Sequence, residues 1–262
     1  MKTPTANRAL LPREAKTTKS LMLIHIVIVL LAIMTAPVQL FAGASAYAEI
    51  FGLNGELSGI SIDPSYLESS SHTEVLTAGD HVFSHDLRYG WETLAYVELA
   101  PTVWARSYTG QLETASLAEI GPSIWAFAGP QGSQYSEFCA AESGTLTLTL
   151  DCESFGWASA ELPGDHAYAE AGIHMLMGDL DDRDEAWWWW QVQADDGQYS
   201  EWNKQGPLQV SYDFTAGQEG GWWFYSYVRL DTYTPVIPAP AAILLGCVGA
   251  GSVAYLRRRG TI

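Results

Sequence analysis

Four consecutive tryptophans, Trp187, Trp188, Trp189 and Trp190, are the residues of this sequence best suited to holding a ligand, and Trp202, Trp222 and Trp223 follow them. An indole offers a broad π face on which the apolar side of a sugar ring can stack, with an N–H at its rim. Successive residues of a strand point to opposite faces. At least two of the four must therefore point away from the main core, unless the strand is covered on both sides. Two readings follow. One is an exposed aromatic platform for a carbohydrate. The other, simpler one is that the rings fill a broad two-sided core and shield an edge, since aromatics are ordinary residues of sheets.

Just before the tryptophans, GDLDDRDE brings together Asp179, Asp181, Asp182, Asp184 and Glu185. Calcium wants several oxygen ligands from a loop, but an EF-hand needs glycine at its sixth position, where this segment has Asp184. It reads as a solvated acidic loop, and no metal or cofactor is expected. The six histidines, including His81 and His85, form no HExxH or His–Cys zinc pattern. There is no Gly-x-Ser-x-Gly elbow and no phosphate loop. Carboxylates are too numerous for any pair to stand out as a glycosidase acid and base. The chain therefore reads as a non-enzyme, with no catalytic residue nominated.

The elements that must carry these residues are strands. Alternation dominates residues 49–235. In DHAYAEAGIHMLMG one parity holds Ala167, Ala169, Ala171, Ile173, Met175 and Met177; the other holds His166, Tyr168, Glu170, His174 and Leu176. GTLTLTLD sets Leu146, Leu148 and Leu150 against threonines, and PLQVSYDF puts Leu208, Val210 and Tyr212 on one face. Further strands are ELSGISI, TEVLTA, WETLAYVEL, TVWARSYT, PSIWAFA, ASAEL and WWFYSYVRLDTYT, punctuated by GPQGS, LPGD, ADDGQ and KQGP. About ten strands with such turns predict an all-β fold, an antiparallel β-sandwich of jelly-roll-like form. Residues 49–235 carry 29 acidic and 5 basic side chains, a formal charge of −24. Such a surface repels phosphates, which excludes nucleic acid as a partner.

The basic segment before residue 20, the apolar run LMLIHIVIVLLAIM and the small residues after it have the order of a secretory signal. The run is short for a spanning helix, which needs about 20 apolar residues. This predicts a signal helix within residues 1–48, passage through the export translocon, and a cut after Ala46 or Ala48; an uncleaved anchor is the alternative. Export also favours a disulfide between Cys139 and Cys152. A tight hairpin at Glu142–Gly144 would set the two about 13 Å apart at strand rise, beyond the roughly 7 Å a bridge allows. The bridge therefore requires residues 135–144 to double back.

Residues 235–262 carry a Pro-rich hinge, an apolar run from Ala241 to Leu256 and then Arg257, Arg258 and Arg259. As a helix the run spans about 24 Å, short of the ~30 Å bilayer core. Arginines after it hold that end in the cytoplasm and place residues 49–234 across the membrane. Pro238, Ala239 and Pro240, the Gly- and Leu-rich run and the arginine cluster resemble the PEP-CTERM sorting domain of bacteria with Gram-negative-type envelopes. Ala239 stands where that family usually has Glu. The resemblance covers about the last 26 residues. It implies a C-terminal hydrophobic helix recognised by an exosortase, a membrane-embedded cysteine transpeptidase that cuts the tail. It also implies a place at the cell surface or in the extracellular matrix, in company with exopolysaccharide and biofilm formation. Replacing Arg257, Arg258 and Arg259 together by neutral residues is expected to impair membrane retention before processing, as read by fractionation of pulse-labelled cells. An unchanged fate would argue against a sorting role for the cluster.

Overall fold

The computed structural model describes residues 43–235 other than 101, 124 and 180. The signal segment, its expected helix and the whole sorting tail, including Pro238–Pro240 and Arg257–Arg259, lie outside the described residues. Those that are described form thirteen strands in two antiparallel sheets and no helix. They are β1 (Ala44–Gly59), β2 (Ile62–Thr77), β3 (His81–Tyr89), β4 (Thr93–Ala100), β5 (Val103–Gly110), β6 (Glu113–Ser123) and β7 (Trp125–Ala128), followed by β8 (Gln131–Ala140), β9 (Gly144–Ser159), β10 (His166–Gly178), β11 (Arg183–Asp195), β12 (Tyr199–Phe214) and β13 (Glu219–Tyr233). One sheet runs β12-β9-β1-β6-β5-β4. The other runs β11-β10-β13-β7-β2-β3, with β8 also pairing β13 and β2.

The strands are fewer in the sequence reading because β3, β8 and most of β6 show no alternation strong enough to declare them. ELSGISI is divided at a corner between β1 and β2, whereas ASAEL is only the end of β9, which stops at Ser159. β7 and β8 lie in one slot between β13 and β2, interrupted by Gly129-Pro130. Proline has no N–H to give the ladder, and the break is closed by Gly129 N–H donating to Glu74 O at 2.8 Å and Val228 N–H to Pro130 O at 3.0 Å.

The inward faces follow the alternation. Ala167, Ala169, Ala171, Ile173, Met175 and Met177 are all buried, as are Leu146, Leu148, Leu150, Leu208 and Val210. All of these but Ala167 join Trp222, Phe224, Phe138 and Phe214 in one core shared by both sheets, while Ala167 packs in a second small cluster with Ala44, Ala158, Ala160 and Ala194. Towards β4, β5 and β6 the packing changes character, because many inward residues there are serine or threonine. Buried, each hydroxyl must find a partner, and most find one on the facing sheet. Ser71 meets Thr93 at 2.7 Å, and Thr93 meets Thr109 at 2.6 Å. Ser107 donates to His72 O at 3.0 Å, and Ser116 to Ser226 O at 3.1 Å. Thr114 meets Ser226 at 2.7 Å and donates to Gly132 O at 3.2 Å. Gln134 Nε2 donates to Gly110 O at 2.9 Å. Hydroxyls this short touching opposite backbones bring the sheets closer than the ~10 Å usual between large interdigitating side chains.

Two sequence expectations change here. Cys139 and Cys152 are both free. The segment between them is no hairpin: β8 belongs to one sheet and β9 to the other. Cys139 lies on the outer face of its sheet, while Cys152 points into the core, so their side chains diverge. Burial, with the Asp151 carboxylate beside it, pushes the Cys152 thiol up to about 12. Second, Ala46 and Ala48, expected to precede the export cut, lie inside β1 and are fully buried. The sandwich thus begins before residue 49.

Gly132 tests the close approach. A Cβ there would sit 2.8 Å from both Thr114 Oγ1 and Tyr108 O. Gly132→Ala is expected to cost about 1–3 kcal/mol by overpacking. Its exposed neighbour Gln131→Ala should stay within about 0.5 kcal/mol. Urea denaturation of the two variants checks both values.

Candidate functional site on the outer face of the seven-stranded sheet

The tryptophan run occupies β11, the edge of its sheet. With a side-chain period of two, Trp188 and Trp190 turn inward and pack against the core, edge-on to each other at 4.0 Å. Trp188 reaches the facing sheet, where a Cβ on Gly206 of β12 would lie 3.9 Å from its ring. Trp187 and Trp189 turn outward, 58% and 41% exposed, and stack at 6.2 Å with 23° between their planes. Half of the run is thus exposed and half is packed inward.

Register sets what stands beside the outward pair. Trp187 is opposite His174, which is opposite Tyr225; Trp189 is opposite Gly172, which is opposite Tyr227. A Cβ on Gly172 would come within 2.6 Å of the Tyr227 ring, so only glycine lets that ring cover β10. The His174 imidazole lies edge-on to Tyr225 (5.5 Å) and Trp223 (6.3 Å), with Nε2 3.2 Å from Glu185. Next along the face, Glu170 accepts from Tyr168 OH at 2.7 Å and from Tyr227 OH at 2.9 Å. The Arg229 guanidinium sits 5.9 Å over the Tyr168 ring, a cation–π distance, and pairs with Asp231 at 3.1 Å.

Beyond β13 the face dips into a cleft of about 670 Å³, bordered by Tyr135, Glu137, Cys139, Arg183, Glu219 and Trp223. Glycines 178, 220 and 221 leave room for it. The acidic loop expected from the sequence adjoins this cleft as the β10–β11 turn. Asp179 accepts N–H groups of Asp182 (2.8 Å) and Asp181 (2.9 Å) and the Gln218 amide (2.7 Å). Those backbone donors hold its carboxyl below the usual range. Its oxygens are thus used in shaping the turn, and no group of three His, Cys, Asp or Glu side chains among the described residues is placed to hold a metal ion. His81 pairs with Glu74 at 2.8 Å and His85 lies edge-on to His72 at 6.0 Å, both on the opposite edge of the sheet.

The sequence reading missed a repeated motif, Tyr-x-Glu. It occurs at Tyr47/Glu49, Tyr66/Glu68, Tyr96/Glu98, Tyr135/Glu137, Tyr168/Glu170 and Tyr199/Glu201. In all six the phenol donates to the carboxylate two residues on. The spacing was legible, because residues i and i+2 of a strand share a face. On β2 and β8 two copies meet head to tail, Tyr66 opposite Glu137 and Glu68 opposite Tyr135. The other sheet carries a comparable row across all six strands: Glu201, Trp157, Tyr47, Glu119, Trp104, Glu98. Both outer faces thus alternate flat rings with carboxylates, the groups that stack on sugar faces and accept from sugar hydroxyls.

No protein-family model matches the chain, no curated protein matches it, and no solved structure matches its fold.

The Tyr–Glu pairs carry a pH signature. Burial and the bond to Glu137 push Tyr135 up to about 12, and Tyr66, Tyr168 and Tyr227 are raised as well. A phenol whose folded value lies above its unfolded value of about 10 adds stability in full below pH 10 and loses it as pH rises through the folded value. Phenolate absorbance of the native protein should therefore lag that of the urea-unfolded chain between pH 10 and 12, and Glu137→Gln should bring one phenol down. Superimposable native and unfolded titrations would show that the pairs do not hold in solution.

Proposed function

We propose that the protein is an exported, non-enzymatic component of the cell surface or extracellular matrix that attaches to exopolysaccharide through the outer face of its seven-stranded sheet. Its C-terminal PEP-CTERM-like tail is the address read by an exosortase-type transpeptidase, after entry through the export translocon. The observation that carries the glycan reading is the outward pair Trp187 and Trp189, exposed and stacked on an edge strand. Their neighbours Trp188 and Trp190, by contrast, are half-buried against the core. Support also comes from the carboxylates along the same face: Glu170 and Glu137 accept from tyrosine hydroxyls and Glu185 lies against the His174 ring nitrogen, and such groups would accept from a sugar. The charge of −24 over residues 49–235 favours a neutral or amine-bearing polysaccharide over an anionic one.

Titrating the protein with soluble polysaccharide from the producing cell, while following tryptophan fluorescence, tests this reading. Binding without release of reducing ends is expected. Trp187→Ala combined with Trp189→Ala should weaken it about tenfold or more, each ring being worth roughly 0.5–1.5 kcal/mol beyond the area it buries. Trp188→Phe should leave affinity unchanged, because that ring faces inward. No response to any polysaccharide of the cell would leave a purely structural surface role. Reducing-end release would point to a hydrolase.

A further inference from the structure

The six-stranded sheet carries a ring cluster of its own, on the side of the sandwich opposite Trp187 and Trp189. Tyr47 on β1, Trp157 on β9 and Tyr199 on β12 follow one another across three neighbouring strands. Trp157 stacks on Tyr47 at 6.5 Å with 17° between the planes, and on Tyr199 at 6.4 Å with 26°. Phe155 closes on Tyr47 at 6.0 Å. Register produces this line of near-parallel rings: Tyr47 is opposite Trp157, and Trp157 is opposite Glu201, the carboxylate partner of Tyr199. Tyr199, on the edge strand, is 59% exposed, and Trp157 and Tyr47 are half-buried beside it.

Carboxylates pin these rings at their rims. Tyr47 donates to Glu49, and Tyr199 donates to Glu201 at 2.6 Å. Further across the same face Trp104 Nε1 donates to Glu119 at 2.9 Å and Tyr96 donates to Glu98. A pinned ring has little freedom left to lose when a flat group stacks on it, and each carboxylate keeps acceptor sites for a further hydroxyl. The row beside Glu201, Trp157, Tyr47, Glu119, Trp104 and Glu98 runs Asn203, Phe155, Glu49, Leu117, Arg106, Tyr96. In these two rows Arg106 is the only cation, against Glu49, Glu98, Glu119 and Glu201. That balance disfavours an anionic polymer and suits a neutral or amine-bearing one, as on the face that holds Trp187 and Trp189.

The inward faces of both sheets meet in one core, so the two ring clusters point in opposite directions. A polymer lying on one cannot touch the other without turning around an edge of the sandwich. The hydroxyl bonds between the sheets, such as Ser107 to His72 O and Ser116 to Ser226 O, hold the two faces as one body. We infer that the Tyr47–Trp157–Tyr199 face is a second site for a neutral or amine-bearing polysaccharide, and that one molecule joins two polysaccharide chains back to back as a non-covalent cross-linker. The inference rests on the glycan reading above, which itself needs only the first face. Stacking at either face alone gives a weak grip. Repeating polymers engage many such molecules at once, and the linked contacts reinforce one another through effective concentration.

The probes are the neutral and amine-bearing fractions of the producing cell's polysaccharide, intact and cut into fragments too short to turn around an edge. Calorimetry with the exported protein should count two fragments per protein chain. Counting per chain separates two faces on one molecule from one face on each of two associated molecules. With intact polymer, light scattering should rise about tenfold or more near equivalence and fall again in excess protein, as bivalent bridging requires. Trp157→Ala combined with Tyr199→Ala should bind one fragment and lose the scattering. Tyr199→Ala alone, at an exposed edge position, should weaken the second site if the double variant does not fold. One fragment per chain in the natural protein, or scattering unchanged in the folded variants, overturns the inference and leaves the glycan reading standing. No binding of any fragment overturns both.

Discussion

The hydroxyl seam between the sheets is the constraint on which the rest of this architecture depends. Greasy packing alone is tolerant of sliding, since one apolar surface fits another in several registers. A hydroxyl that must meet a particular carbonyl is not. Ser107 on His72 O, Ser116 on Ser226 O and Thr114 on Gly132 O lock β5 and β6 of one sheet to β2, β13 and β8 of the other. The same contacts demand small residues, which is why Gly132 sits where it does. Once the sheets are locked, the strand register fixes which side chains stand together on the outside. The placement of Trp187 beside His174 and of Trp189 beside Gly172 is thus decided in the interior.

The outer faces follow a different rule. They are neither smoothly polar nor greasy. Rings and carboxylates alternate along strands, through the Tyr-x-Glu pairs, and across them, through rows such as Glu201, Trp157, Tyr47, Glu119, Trp104 and Glu98. Each phenol bonded to a glutamate keeps its ring along the sheet and its hydroxyl satisfied. The carboxylates retain free lone pairs, since an ionised carboxylate has about four acceptor sites. That combination keeps large aromatic area in contact with water without forming one continuous apolar patch.

Much of this was legible in the sequence where periodicity is the message. The inward alanines, isoleucine and methionines of β10 and the leucines of β9 declare themselves by alternation. So does the splitting of the tryptophan run, although parity cannot say which two rings face out. Pairing between distant strands is not written in local pattern. For that reason the Cys139–Cys152 geometry was misjudged: hairpin arithmetic assumes one sheet, and the chain changes sheets between them. The Tyr-x-Glu repeat was visible but lacked meaning until the strands were known to be extended through it. The hardest case was Ala44–Ala48. Alternating small residues suit both a peptidase subsite and a strand squeezed between neighbours, and composition cannot separate the two demands.

The position of β1 has a further consequence. It comes first in the domain, yet its two neighbours are β6, which starts at Glu113, and β9, which starts at Gly144. In a chain made from its amino end, β1 appears with neither neighbour present, and more than half of the domain must follow before both sides of it can pair. Contacts so distant in sequence are slow to form. The first strand is therefore a delay: closure of the sandwich waits on strands made long after it.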